Sequence, residues 1–365
     1  MNIATIKFDS FERLQSDDCQ DRIIEARKVL GEKIVILGHH YQNETVYRHA
    51  DFAGDSLKLA QYVQQLDAKY IVFLGVHFMA EVSDILSRDD QITVLPDLSA
   101  GCSMADMANL AKVERTYREI SKVLDFDQTI TPITYINSAA DLKAFCGEHN
   151  GIVCTSTNAP KILEWAFKQR QKVLFFPDQN LGRWTGYKMN IPLEDMIVWD
   201  PDLPLGGLTE KQITDSKILL WKGHCAVHQM FRLEHIERFK ELHPDGFVIS
   251  HPESPFEVCQ NSDFVGSTEF ILKTIQKAEK NTKWLVGTEL NLVNRLANEM
   301  KSEGKLVQFM SQVVCECSTM ARIDPQHLAW TLENILKDSP VNIIKVKESE
   351  AKLAKLALDR MLAVT

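Results

Sequence analysis

Three times along this chain a β-branched run ends abruptly in a polar cluster, and this recurrence restricts the available folds more than any other feature. Val35-Ile36-Leu37 gives way to Gly38-His39-His40-Tyr41, Ile133-Thr134 to Tyr135-Ile136-Asn137-Ser138, and Val248-Ile249 to Ser250-His251-Pro252-Glu253. A second strand is expected after each, over 70–76, 151–154 and 264–265, and a third over 93–95, 173–176 and 284–286, again with polar ends. Amphipathic stretches separate these runs, the pattern of βαβ units building parallel sheets. Downstream of the three triplets lie Cys102, Cys225 and the pair Cys315/Cys317. The units are far longer than solenoid repeats, so the order points to three domains rather than an array.

The fold expected is α/β: three similar three-layer αβα domains with parallel sheets arranged around a pseudo-threefold axis. Boundaries fall at 22–102, 103–225 and 226–317, with C-terminal helices in 318–365 packing back onto the first domain. Ligands bind beyond the carboxyl ends of strands in open parallel sheets, so three such ends facing one axis would make one shared pocket. Residues 113–123 read as an exposed amphipathic helix, and 200–207, with Pro201, Pro204 and Gly206-Gly207, as a surface loop. Residues 324–337 and 348–363 read as closing helices, the second with Leu353, Leu356, Leu358 and Met361 on its apolar side.

A net charge of −9 without a Lys/Arg cluster speaks against a nucleic-acid surface. Residues 1–13 carry Asp9 and Glu12 and lack the basic start and apolar run of a secretory signal, and no apolar stretch reaches bilayer-spanning length. A cytoplasmic protein without nucleic-acid or membrane partners is expected. Thiols stay reduced there, so eight cysteines read as core residues, metal ligands or catalytic groups rather than disulfides. Cys146, Cys154 and Cys259 sit in apolar surroundings and read as core, and Cys19, in a polar helix start, reads as incidental.

One thiol per domain lets three domains converge on one metal site, and Gly101 beside Cys102 and Gly223 near Cys225 let the backbone approach a bulky group. Three thiolates match a [4Fe–4S] cluster with one iron left open to act as a Lewis acid. Scattered cysteines lack the compact runs of ferredoxins and zinc fingers, so spacing by itself is weak support.

A set of ordered motifs adds to this. Gly38-His39-His40-Tyr41, Gly54-Asp55-Ser56-Leu57, Phe78-Met79-Ala80-Glu81, Tyr135-Ile136-Asn137, Pro177-Asp178 with Leu181-Gly182-Arg183, Trp221-Lys222-Gly223-His224-Cys225-Ala226-Val227-His228, His251-Pro252-Glu253-Ser254 and Val265-Gly266-Ser267-Thr268 resemble the quinolinate synthase family in order, over about 35–320. The resemblance implies condensation of iminosuccinate with dihydroxyacetone phosphate to quinolinate, phosphate and water in de novo NAD synthesis. It also implies one [4Fe–4S] cluster per chain, held by one cysteine from each domain: Cys102, Cys225 and Cys317. Cys317 is preferred because Cys317-Ser318-Thr319-Met320 keeps the family's step to methionine, with Cys315 its rival. Substrate contacts correspond to His39, Ser56, Tyr135, Ile136, Asn137, Ser156, His251, Pro252, Glu253 and Thr268. The enzyme supplying iminosuccinate is the transient partner implied. His40 stands where the family often has tyrosine, which leaves open whether His39 or His40 faces the pocket.

Building a pyridine ring from an imino-diacid and a triose phosphate moves protons at every step, and His39, Tyr41, His251 and Glu253 are the candidate catalytic acids and bases. Tyr41 and Glu253 are the principal shuttles expected. Ser56, Ser156, Ser267 and Thr268 follow strands or open helices, where a hydroxyl is as readily an ordinary N-cap as an anion contact. His228 reads equally as a neighbour of the cluster or as a satisfied core histidine. Two other functions fit fewer residues: a non-catalytic iron–sulfur sensor, which has no use for so many polar strand ends, and a zinc-dependent lyase, for which Cys225-Ala226-Val227-His228 is the candidate ligand pair.

Overall fold

The computed structural model of the chain describes residues 5–313 and 316–364. Contacts group residues 5–102 with 316–346 in one unit and residues 103–313 with 347–364 in another. The chain is α/β, with three all-parallel sheets of four, five and four strands flanked by helices.

The first unit holds β1 (Ile34–His39), β2 (Phe52–Gly54), β3 (Tyr70–Leu74) and β4 (Ile92–Val94), in spatial order β2-β1-β3-β4. Every residue of β1 and β3 is buried, as expected for central strands covered on both faces, which is why they read as unbroken apolar runs. The helix Ser16–Leu30 lies against the helix Pro325–Leu336, with Cys19, Ile23, Ala26 and Leu30 buried on one and Leu328, Ala329, Leu332 and Ile335 on the other. Arg22 grips the Glu333 carboxylate with two N–H groups, at 2.5 and 2.8 Å, across that pair. Cys19 is therefore a packed core thiol rather than an incidental surface residue.

The second unit carries two sheets. One contains β5 (Ile130–Tyr135), β6 (Ile152–Cys154), β7 (Lys172–Phe176), β8 (Met196–Trp199) and β9 (Ile218–Trp221), in order β6-β5-β7-β9-β8. The other contains β10 (Phe247–Ser250), β11 (Phe264–Val265), β12 (Lys283–Gly287) and β13 (Leu306–Phe309), in order β11-β10-β12-β13. This last sheet shows the three layers plainly. Ile249, Trp284 and Val286 pack on one face with Ile271, Ile275, Val293 and Leu296, while Val248 and Leu285 pack on the other with Ile236 and Phe239.

The shared order, second-first-third, is the internal repeat, but its alignment differs from the sequence reading at one point. The strand equivalent to β6 and β11 is β2, not the run beginning at Tyr70, which as β3 matches β7 and β12. With that shift, Ser56, Ser156 and Thr268 all follow the second strand of their sheet. His39, Tyr135 and His251 stand at or just after the end of the first.

The closing helices part company. Pro325–Leu336 belongs with the first sheet, whereas Glu348–Val364 lies on the helix Ala140–Glu148, β6 and the helix Ala159–Gln169, rather than on the first domain as the sequence suggested. Its buried side chains are Ala354, Ala357, Leu358 and Met361; Leu356 faces outward. Small residues line the contact because the helices nearly touch: a Cβ on Gly147 would sit 1.9 Å from the Leu353 carbonyl oxygen. No helix among the described residues is long and apolar enough to cross a membrane.

Candidate active site

In the first unit, β1 ends at His39 and the chain turns so that the Tyr41 backbone N–H donates to His39 Nδ1 at 3.2 Å. The two rings meet edge to face with centroids 4.7 Å apart. His40, also buried, turns instead to Tyr47, whose hydroxyl lies 3.1 Å from its Nδ1. His39 and Tyr41 thus form the pair, and His40 is engaged within its own loop. Asp55 caps the helix Ser56–Val63 by accepting from Lys58 N–H, so Ser56, at the first helical position, does not carry the cap. Ser267 plays the same part for Thr268–Lys277, accepting from Phe270 N–H, with Thr268 just inside. Of the four hydroxyls considered, only Ser267 is an N-cap.

The second unit assembles Tyr135, Ser156, His228, His251 and Glu253 around one buried carboxylate. The Tyr135 hydroxyl donates to Glu253 Oε1 at 2.6 Å, and His228 Nδ1 lies 2.9 Å from Oε2. Asn180 Nδ2 donates to the Glu253 carbonyl at 3.2 Å, fixing the loop after β10. His251 lies beside His228 with the rings tilted by 31° and centroids 4.7 Å apart, and its Nε2 lies 3.2 Å from Ser156 Oγ. The Glu253 backbone N–H donates to His251 Nδ1 at 3.4 Å, and a histidine nitrogen that accepts leaves the proton on the other. Nε2 therefore faces Ser156 as a donor. Ile136 sends its side chain into the core, and its N–H donates to the Cys154 carbonyl; Pro252 is buried too. Asn137 Oδ1 is buried without a hydrogen-bond partner among the described residues.

Electrostatics follow from this packing. Burial alone would raise the Glu253 pKa, but the close contact with His228 and the hydrogen bond from Tyr135 oppose it, and the carboxyl lies below its usual value. Burial pushes His251 down to about 3, leaving a neutral imidazole at neutral pH. Asp178, fully buried, caps the helix Gln179–Lys188, and burial reinforced by the Glu253 charge raises its pKa well above normal.

The thiols divide into two classes. Cys19, Cys146, Cys154 and Cys259 are buried, and burial raises the pKa of each. Cys102, Cys225 and Cys317 are half-buried and reduced. Each follows the strand fourth in the spatial order of its sheet, β4, β9 or β13. The Thr319 hydroxyl lies 3.3 Å from Cys317 Sγ. Cys315 lies outside the described residues. Metal ligation requires thiols that a bound group can reach, and the half-buried position of these three suits it while the buried four are closed off. Cys225 Sγ, a His228 nitrogen and a Glu253 oxygen also lie within 4.8 Å of one another.

Residues 21–363 match the family described as Quinolinate synthetase A protein. The chain belongs to that family. Proteins named quinolinate synthase are similar over nearly their whole length. That of Rhodopirellula baltica is 51% identical, with 97% of this chain and 93% of the relative covered. The Corynebacterium glutamicum protein is 48% identical over 98% and 90%, and that of Bacillus cereus strain ZK 45% over 99% and 97%. A quinolinate synthetase A protein is an enzyme.

Sequence reasoning left His228 open between a neighbour of the cluster and a satisfied core histidine, although the Trp221–His228 motif contained the signal. A turn in which Gln229 N–H donates to the Cys225 carbonyl brings His228 back beside Cys225, and no local pattern announced that Glu253 would meet both.

Proposed function

We propose that this chain makes quinolinate in the cytoplasm by condensing iminosuccinate with dihydroxyacetone phosphate, using a [4Fe–4S] cluster held by Cys102, Cys225 and Cys317. The observation that carries this reading, beyond family membership, is the Glu253 carboxylate shared by Tyr135 and His228 with the His251–Ser156 contact beside it. When bound, a three-thiolate cluster leaves one iron without a protein ligand and supplies a Lewis acid.

The remaining work falls to the chain's own side chains. His251, neutral and protonated on Nε2, donates to a substrate oxygen lying beside Ser156 Oγ, as a neutral imidazole polarises a carbonyl without surrendering its proton. Glu253 anchors the Tyr135 hydroxyl, so that this phenol holds a proton at a fixed place. Tyr41, packed on His39, is the second phenol able to exchange a proton with an enediol oxygen. Ser56 and Thr268 sit at helix N-termini whose caps are made by other residues, where the helix dipole favours carboxylate or phosphate. Such local donors are needed because a chain of net charge −9 does not attract dianions as a whole.

The test is anaerobic reconstitution, with iron and sulfide counted, followed by chromatographic detection of quinolinate from the two substrates. About four of each per chain are expected, with loss of the cluster on replacing Cys102, Cys225 or Cys317 by Ser. Cluster-bearing protein that forms no quinolinate overturns the reading.

A further inference from the structure

Beyond the cluster, the structure carries a second arrangement of metal donors, and we infer that Cys225, His228 and Glu253 form a mononuclear site for a thiophilic divalent cation, Zn2+ foremost, in the cluster-free protein. The three donor atoms already lie within 4.8 Å of one another, and His228 Nδ1 and Glu253 Oε2 are 2.9 Å apart. Bonds of about 2.3 Å to sulfur and about 2.0–2.2 Å to nitrogen or oxygen put tetrahedral donors roughly 3.2–3.8 Å apart. Small side-chain rotations therefore suffice to close the set around one ion.

The backbone has prepared the geometry. Cys225 and His228 lie three residues apart on one turn, closed by the hydrogen bond from Gln229 N–H to the Cys225 carbonyl at 2.9 Å. His228 Nε2 lies 3.4 Å from Thr288 Oγ1, the kind of outer contact that orients a ligating imidazole, and Tyr135 does the same for Glu253. His228 and Glu253 are buried, where a dication beside a thiolate and a carboxylate gives a neutral group. One thiolate, one imidazole and one carboxylate suit Zn2+ or Co2+ better than Mg2+ or Ca2+, and three protein ligands leave the fourth position to water. The ion takes up Cys225 and so competes with cluster assembly; only this competition rests on the cluster reading.

The experiment uses the full-length, reduced, cluster-free protein titrated anaerobically with Co2+, whose thiolate charge-transfer and tetrahedral d–d bands report the ligands directly. One Co2+ per chain is expected, displaced by Zn2+. Cys225→Ser abolishes the charge-transfer band, whereas Cys102→Ser and Cys317→Ser leave it unchanged. His228→Ala weakens binding about 100-fold or more, since even outer-shell partners cost about 10–100-fold. His228→Cys, which supplies a second thiolate, restores binding with a stronger charge-transfer band, a result that a misfolded protein does not give. Binding that survives His228→Ala but is lost in Cys102→Ser or Cys317→Ser places the ion on the three cysteines and overturns the inference, as does the absence of stoichiometric binding. Zn2+ loaded beforehand is expected to slow cluster reconstitution; Zn2+ binding without that slowing refutes the competition and leaves the site standing.

Discussion

Replacing Gly147 by alanine tests the packing of the C-terminal helix against the second sheet's layer. The added methyl would lie 1.9 Å from the Leu353 carbonyl oxygen, 2.7 Å from its carbonyl carbon and 3.3 Å from its Cα. All three are backbone atoms, so no rotamer relieves the clash. A carbon approaches a carbonyl oxygen no closer than about 3.3 Å, so the two helices have to part by over an ångström. Forced overpacking of this kind costs about 1–3 kcal/mol, while alanine returns about 1 kcal/mol of helix propensity over glycine. The contacts of Ala354, Ala357, Leu358 and Met361 loosen as the helices separate, which raises the cost toward the upper end. A net loss of about 2 kcal/mol is expected, concentrated in one element. Hydrogen exchange followed by mass spectrometry locates it: amides of 348–364 lose protection about 30-fold, a factor matching about 2 kcal/mol, while those of β1 and β3 do not change. Unchanged or slower exchange in 348–364, the result for a glycine on an open helix face, refutes the close-approach argument.

Other outcomes are equally checkable. Tyr135→Phe removes a 2.6 Å hydrogen bond to a buried carboxylate, worth about 1.5–3 kcal/mol, and is expected to lower quinolinate formation about 100-fold or more; an unchanged kcat removes Tyr135 from the mechanism. In cluster-free native protein, Cys102, Cys225 and Cys317 are expected to take up a thiol reagent well before Cys146, Cys154 and Cys259, as read by peptide mass mapping; equal rates contradict the two classes of thiol. Burial, with Arg27 and Arg48 nearby, lowers the His49 pKa from 6.5 to about 4. The unfolded chain therefore binds the proton first, so this stability is complete above pH 6.5 and lost as pH falls toward 4. In His49→Gln the loss of unfolding free energy over that window shrinks by about 2 kcal/mol, and identical pH slopes for the two proteins rule the linkage out.

The sheets were legible because central parallel strands are apolar on both faces, and β1, β3, β5 and β7 announce themselves as runs. β2 was not. Phe52-Ala53-Gly54 is a three-residue edge strand with an exposed phenylalanine and two poor strand formers, so nothing local marks it. Its omission displaced the first repeat by one strand, although Ser56 just beyond it was still picked out. The last helix was misread because leucine was taken as the mark of its buried face, while the close contact at Gly147 demands alanine there. At the site, polar residues directly after apolar runs named Tyr135, His251 and Glu253. Their meeting was hidden, since Tyr135 and Glu253 stand 118 residues apart and a hydrogen bond between two sheets leaves no period in the sequence. The tautomer of His251 and the turn that carries His228 to Glu253 likewise depend on tertiary structure.

The pairing of Ser16–Leu30 with Pro325–Leu336 bears on how the protein is made. On the ribosome, the first of these helices emerges some three hundred residues before the second. Throughout that interval Ile23, Ala26 and Leu30 have no late-arriving cover, and the amino-terminal sheet waits for a piece translated after two others. A stall or truncation upstream of residue 325 therefore leaves a sticky, unfinished lobe, a natural substrate for chaperones and proteases.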